Sequence, residues 1–199
     1  YLILPVGAKS FRQAMEWIIT IYWGLGRRLQ QAGFEGRLVG DEGGYGPRLP
    51  DNETALKFVI AAIEDAHLTP GQDVMLGLDV ASTHFYRDGR YHLAATGQTL
   101  DAADMTATLA DWVDRYPILS IEDGLAEDDW DGWRTLTERL GQRVQLIGDD
   151  LFVTNRERLE RGLNTSVGNS VLIKLNQIGT LWETLETMRL ALDNGYWPV

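Results

Sequence analysis

Apolar positions along the chain follow two alternating periods. After "YLILPVG", Phe11, Met15, Ile18, Tyr22, Leu25 and Leu29 step by three and four residues, which predicts an amphipathic helix. Ser10 and Gln13 match a capping box at its start, and Gly33 suits its end. A second helix follows Asn52, with Leu56, Val59, Ile60 and Ile63 on one face. "VMLGLD" reads as a strand, and "FYRDGRYHL" as a hairpin turning at Asp88 and Gly89. The next helix begins near Asp101, carries Met105, Leu109, Trp112 and Tyr116, and stops at Pro117. "ILSIED" and "VQLIGDD" read as strands on either side of the helical "DDWDGWRTLTERLG", whose first turn is acidic. Thr154 and Glu157 box the start of another helix. "SVLIK" is a strand, and Leu181, Leu185, Met188 and Leu192 mark the last helix before Gly195.

Strands written as continuous apolar runs, separated by amphipathic helices, imply a parallel sheet buried on both faces. Two architectures satisfy this, an open doubly wound sheet and a (β/α) barrel. No G-x-G-x-x-G follows a strand, which weakens the dinucleotide-binding form of the open sheet. The placement of the polar residues favours a barrel.

Each late strand ends on an ionisable residue: Asp79, Glu122, Asp149 and Lys174. The last three lie about one βα unit apart, and parallel α/β folds bring their C-terminal strand ends to one face. Three carboxylates and an ammonium should therefore share one mouth. Carboxylates brought together repel one another, and a hard divalent cation with oxygen ligands relieves that. Magnesium is the natural choice, because no cysteine or histidine stands among these positions. A single strand-end acid reads as a helix cap or solvated turn; four ionisable ends in succession read as a metal-assisted site.

Of the 18 cationic residues only Lys9, Lys57 and Lys174 are lysines. A strand-end lysine that snorkels to solvent is the plain reading of Lys174. Unlike arginine, however, lysine can lose its proton beside a cation and act as a base. "VGDEGGYGPRL" sets Asp41 and Glu42 between glycines, in a flexible or tightly turned loop. It is either an exposed acidic turn or a closing lid with an acid group.

Composition narrows the function classes. The chain has 199 residues, 44% of them hydrophobic and 24% charged, enough for one domain or part of one. A net charge of −11 argues against nucleic-acid and anionic-membrane partners. It leaves room for an anionic small ligand if metal ions supply the positive charge. The absence of cysteine excludes disulfides and thiolate chemistry, and fits a reducing compartment. "WIITIYWGLG", the longest apolar stretch, is too short for a bilayer. With no initiator methionine and "GYWPV" reading as an unfinished strand, a piece of a longer protein is expected. The three histidines have no metal-ligand spacing, Asp128, Asp129 and Asp131 serve a helix start, and Trp130 and Trp133 read as core.

"GAKSF", "VGDEGG", "GLDVAS", "SIEDGLAEDDWDGW", "GDDLFVTN" and "IKLNQIGTL" stand in the order and spacing of the enolase family, and the chain resembles it throughout. The resemblance implies a β2α2(βα)6 variant of the TIM-like (β/α)8 barrel, with residues 1–199 forming an incomplete C-terminal barrel domain. It implies magnesium-dependent interconversion of 2-phosphoglycerate and phosphoenolpyruvate in glycolysis, by a cytoplasmic enzyme that is a homodimer at full length. Asp79, Glu122 and Asp149 match the family's metal ligands, Lys174 its C2 base, and Glu42 the loop glutamate that assists loss of the 3-hydroxyl. Glu122, Asp149 and Lys174 would also contact substrate.

The family's second acid-side glutamate, a histidine-arginine-serine stretch, a later lysine and the N-terminal domain are expected outside residues 1–199. His84 stands where the family usually has glutamate, "GYGP" replaces F-A-P, and "YWPV" departs from the usual strand. Two other expectations are open: an enolase-like fragment serving as a binding or scaffold module, and a superfamily enzyme for another carboxylate substrate.

Overall fold

A computed structural model describes residues 1–199. They separate into two compact units, Tyr1–Leu76 with Ala94–Gly97, and Gly77–Leu93 with Gln98–Val199.

The first unit carries β1 (Leu2–Leu4), α1 (Phe11–Gln31) and α2 (Asn52–Asp65). The expected cap of α1 forms, with Ser10 accepting from the Gln13 N–H, while the Gln13 side chain accepts from the Lys9 N–H at 2.7 Å. α2 is capped by Asp51, whose side chain accepts from the Thr54 N–H at 2.6 Å. The two helices bury Ile21 and Leu29 of α1 with Leu56, Val59 and Ile63 of α2. Phe11 and Met15 lie on the expected stripe of α1 but are 82% and 40% exposed. The long N-terminal half of that stripe has no covering element in this unit.

β2 (Met75–Asp79) begins in the first unit and ends in the second. A single 3₁₀ turn, Ser82–Phe85, leads to an antiparallel sheet of β3 (Tyr86–Arg87), β4 (Arg90–Leu93) and β5 (Gln98–Leu100). Its β3–β4 turn is the expected one, with Asp88 at φ 51° and Gly89 at φ 75°, the left-handed pair of a two-residue hairpin. β5 was not expected from the pattern; it pairs Leu100 with Tyr91.

α3 (Ala102–Arg115) ends at Tyr116, whose extended backbone is what a following proline demands. Then come β6 (Ile118–Glu122), α4 (Trp130–Leu140), β7 (Gln145–Gly148), α5 (Arg156–Thr165), β8 (Ser170–Val171), the one-turn α6 (Leu175–Ile178), α7 (Leu181–Asp193) and β9 (Trp197–Pro198). The strands neighbour one another in the order β2-β6-β7-β8-β9, and β6 to β9 pair in parallel. This fits the expected incomplete (β/α) barrel, with parallel strands side by side that do not close on themselves. No helix is long and apolar enough to cross a membrane.

Three local expectations change. α5 is capped by Asn155, which accepts from the Arg158 N–H, rather than boxed by Thr154 and Glu157; Thr154 turns inward and is fully buried. α7 buries Thr184, Thr187 and Ala191, leaving Leu181, Leu185 and Leu192 49–63% exposed. The small inward residues allow close approach to the loops above the sheet, where Thr187 donates to the Thr154 carbonyl at 2.9 Å. Trp133 is core, with Nε1 donating to the Leu125 carbonyl at 3.0 Å. Trp130 is only half-buried and stacks under Arg161, whose guanidinium carbon lies 3.9 Å from the ring centroid.

Tyr91 ties the small sheet to α4. Fully buried, it donates to Asp129 Oδ2 at 2.6 Å and accepts from the Ala126 N–H at 3.1 Å. Tyr91→Phe keeps the ring but leaves that buried N–H without an acceptor. A loss of about 1–3 kcal/mol of unfolding free energy is expected in denaturant titration. An unchanged midpoint would show that the bridge is dispensable.

Candidate active site

The second unit brings four of the sequence-predicted residues to successive strand ends. β2 ends on Asp79 and β6 on Glu122, while Asp149 directly follows β7. Lys174 lies just beyond β8 on backbone that is still extended, φ −123° and ψ 113°. The parallel register sets Glu122 opposite Ile147 and Gly148 opposite Val171, and the Leu172 N–H extends it by donating to the Gly148 carbonyl at 3.0 Å. A Cβ on Gly148 would sit 2.5 Å from the Phe152 ring, so glycine here is what lets that ring pack against the end of β7.

Asp79 is exposed, Glu122 and Lys174 are half-buried, and Asp149 is buried. Lys174 Nζ donates to Asp149 Oδ2 at 2.6 Å, and Gln177 Nε2 donates to Asp149 Oδ1 at 2.7 Å. Burial pushes the Glu122 carboxyl up to about 7, reinforced by Asp79, Asp149 and Asp123 and opposed by Lys174. That coupling places the three carboxylates and the ammonium in one electrostatic neighbourhood. The Lys174 ammonium is held above its ordinary range, first by the hydrogen bond to Asp149. A lowered value, as a base requires, needs a cation beside it.

Asp123 was not singled out by the sequence, although it follows Glu122 directly. It is 3% exposed, and its two oxygens accept the N–H groups of Asp149 at 3.0 Å and Asp150 at 2.8 Å. Its own N–H donates to the Ile147 carbonyl at 3.0 Å, and its carbonyl accepts from the Ser82 N–H at 3.2 Å. One residue thus joins the loops that follow β2, β6 and β7. Burial pushes its carboxyl up to about 7 against the opposing pull of those backbone donors.

Left-handed backbone at non-glycine residues gathers in the same loops: Ala81 (φ 46°), Asp123 (42°), Val153 (44°) and Thr154 (55°). Such conformations cost about 1–3 kcal/mol each and persist where the surroundings over-determine them. Here the surroundings include the Ser82 N–H bond to the Asp123 carbonyl at 3.2 Å and the Val153 N–H bond to the Asp149 carbonyl at 2.7 Å.

Two oxygen-donor sets share Asp149. Carboxylate oxygens of Asp123, Asp149 and Asp150 lie within 4.8 Å of one another and can hold a metal ion. The other is the set expected from the sequence, Asp79, Glu122 and Asp149, which successive strand ends bring to one side but which does not form such a close cluster. Both oxygens of Asp123 already accept backbone N–H groups, which reduces what the first set can offer a cation. Either set is purely carboxylate, the donor chemistry of a hard divalent ion, and the like charge that adds to burial in raising the Glu122 carboxyl is what such an ion would offset.

Glu42 lies in the first unit, in a tightly turned loop. The Gly40 N–H donates to the Gly44 carbonyl at 2.8 Å, the Gly43 N–H to the Gly40 carbonyl at 2.9 Å, and Val39 bridges Tyr45. Tyr22 clamps the turn, donating to the Gly43 carbonyl at 2.8 Å and stacking on Tyr45 with centroids 4.4 Å apart. The Glu42 side chain is exposed and lines a cavity of about 640 Å³ with Leu25, Tyr45 and Arg48.

Parallel strands alternating with helices, with acids and one lysine at their C-terminal ends, define an α/β barrel-type domain that carries its chemistry on that face. The family model for the enolase C-terminal TIM barrel domain matches residues 1–199. The chain belongs to the enolase family, as its C-terminal TIM barrel domain.

Proposed function

We infer that the protein catalyses the reversible, magnesium-dependent dehydration of 2-phosphoglycerate to phosphoenolpyruvate. The observation that carries this reading is the strand-end group in which Lys174 meets Asp149 at 2.6 Å and Glu122 is coupled to Asp79, Asp149 and Lys174. Enolase-superfamily sites use a lysine or histidine base with magnesium, so that pairing is taken from the family rather than from the geometry. The homodimer and the phosphorylated carboxylate substrate belong to the same reading.

The C2 proton lies beside a carboxylate that is already negative, so its removal puts further charge on that group. Asp79, Glu122 and Asp149 would hold magnesium, which when bound supplies Lewis-acid polarisation of the substrate carboxylate. Lys174 takes the C2 proton on Nζ, so it must enter the step as a neutral amine. The C2–C3 double bond forms as the C3–O bond breaks, and Glu42 protonates the departing 3-hydroxyl, which leaves as water. Glu122, Asp149 and Lys174 lie against the substrate.

The test uses the full-length protein. Phosphoenolpyruvate should appear from 2-phosphoglycerate only with magnesium, followed by ultraviolet absorbance. Absence of product together with absence of magnesium-dependent thermal stabilisation would overturn the enzymatic reading in favour of a scaffold module. Asp79→Asn should reduce that stabilisation more than Asp150→Asn. The reverse order would move the ion to Asp123, Asp149 and Asp150.

A further inference from the structure

Thr154 and Gln177 link the Lys174 backbone to the Asp149 carboxylate. Thr154 is fully buried and held from α7 by Thr187, whose hydroxyl donates to its carbonyl at 2.9 Å. Its own hydroxyl accepts the Lys174 N–H at 2.9 Å. The single hydroxyl proton is then free to donate, and Gln177 Oε1 lies at 2.8 Å against 3.3 Å for the Leu172 carbonyl.

That choice settles the sense of the Gln177 amide. With Oε1 turned to the hydroxyl, Nε2 faces Asp149 and donates to Oδ1 at 2.7 Å. The other Asp149 oxygen meets Lys174 Nζ at 2.6 Å. The hydrogen bonds close a ring from the Lys174 backbone through Thr154, Gln177 and Asp149 to the Lys174 side chain. The amide has one workable orientation, because reversing it would set Oε1 against the acceptor-only Asp149 carboxylate and take the 2.8 Å acceptor away from the Thr154 hydroxyl.

We propose that Gln177 is a positioning residue, holding the Asp149 carboxylate in one orientation toward the mouth, and that the Thr154 hydroxyl sets the sense in which it does so. The proposal rests on the functional reading above for what Asp149 faces, but not for the ring itself. A neutral amide suits the task. It restrains one oxygen without adding a competing cation, and each carboxylate oxygen keeps a second lone pair for a ligand. Lys174, by contrast, is a charged partner whose contact with Asp149 any cation must contest. Residues that orient metal-holding side chains typically change metal affinity about 10–100-fold when replaced.

Thr154→Val, which keeps shape and loses the hydroxyl, and Gln177→Leu are compared with Thr154→Ser in the full-length protein. Magnesium binding is measured by calorimetry without substrate, and hydrogen exchange at the Gln177 carboxamide and Lys174 backbone N–H by NMR without metal. Gln177→Leu and Thr154→Val should each weaken magnesium binding about 10–100-fold, while Thr154→Ser behaves like the parent. Thr154→Val should also speed exchange at both sites, and circular dichroism confirms that each variant is folded. Unchanged affinity in folded Gln177→Leu overturns the positioning role, as does equal loss in Thr154→Ser and Thr154→Val. If the parent binds no magnesium, the functional reading fails on its own. In that case the exchange data still decide the ring: slow exchange in the parent and fast exchange in Thr154→Val support it, and equal rates overturn it.

Discussion

Lys174→Ala in the full-length protein should lower turnover by on the order of 10²–10⁴-fold, the usual contribution of a positioned base. Exchange of the substrate's C2 hydrogen with solvent deuterium should fall with it, because that exchange reports the proton transfer itself. Magnesium binding should survive or tighten, since the substitution removes the ammonium that contests Asp149 at 2.6 Å. Lys174→Arg separates the base from the ion pair. Arginine retains a cation for Asp149 but cannot be deprotonated, so that variant should be folded and equally inactive. Substantial C2 exchange in Lys174→Arg would sink the assignment.

Glu122→Gln should move two measurements in opposite directions. In the folded, metal-free chain the Glu122 carboxyl titrates at about 7 against an ordinary 4.5. Between those values the folded state binds more protons than the unfolded one, so stability falls as pH rises from about 4.5 through about 7. Burial is the first cause, with Asp79 and Asp149 adding to it. Glutamine has nearly the same shape and no ionisable proton, so it removes this penalty. With a chelator present, thermal unfolding at pH 8 should occur at a higher temperature in Glu122→Gln than in the parent, with the difference shrinking toward pH 4. With magnesium the order should reverse, because the variant has lost one of three carboxylate donors and with it most of the ligand-linked stabilisation. A variant less stable than the parent in chelator at pH 8 would show that Glu122 is already compensated in the fold.

The ends of local elements were legible because local chemistry decides them. Ser10, Asp101 and Asp129 each accept an N–H from the first turn of the helix they open, whereas α2 starts at Asn52 behind an Asp51 cap and α5 behind Asn155, neither of them expected. Asp88 and Gly89 take the left-handed pair their hairpin requires. Which side of a helix faces inward was less legible. Leu181, Leu185 and Leu192 do share a face, but α7 turns Thr184, Thr187 and Ala191 inward because close approach and the Thr187 bond to Thr154 outweigh what an apolar stripe alone suggests. The stripe records which residues lie together, not which surface is waiting for them.

Taken alone, the sequence determined that acids and a lysine close successive strands and that the motifs are those of enolase. Strand ends and βα spacing are properties of short stretches, and parallel pairing then leaves one face for all of them. Only the tertiary structure decided how those groups are held. Asp123 bonded to the Asp149 and Asp150 backbone, Thr154 turned in beneath Lys174, and Gln177 aimed at Asp149 are hydrogen bonds between residues far apart in the chain. Their existence depends on strand register and on left-handed turns that no local preference favours. Packing alone brings such groups within hydrogen-bond distance, so they become visible only when the strands are set side by side.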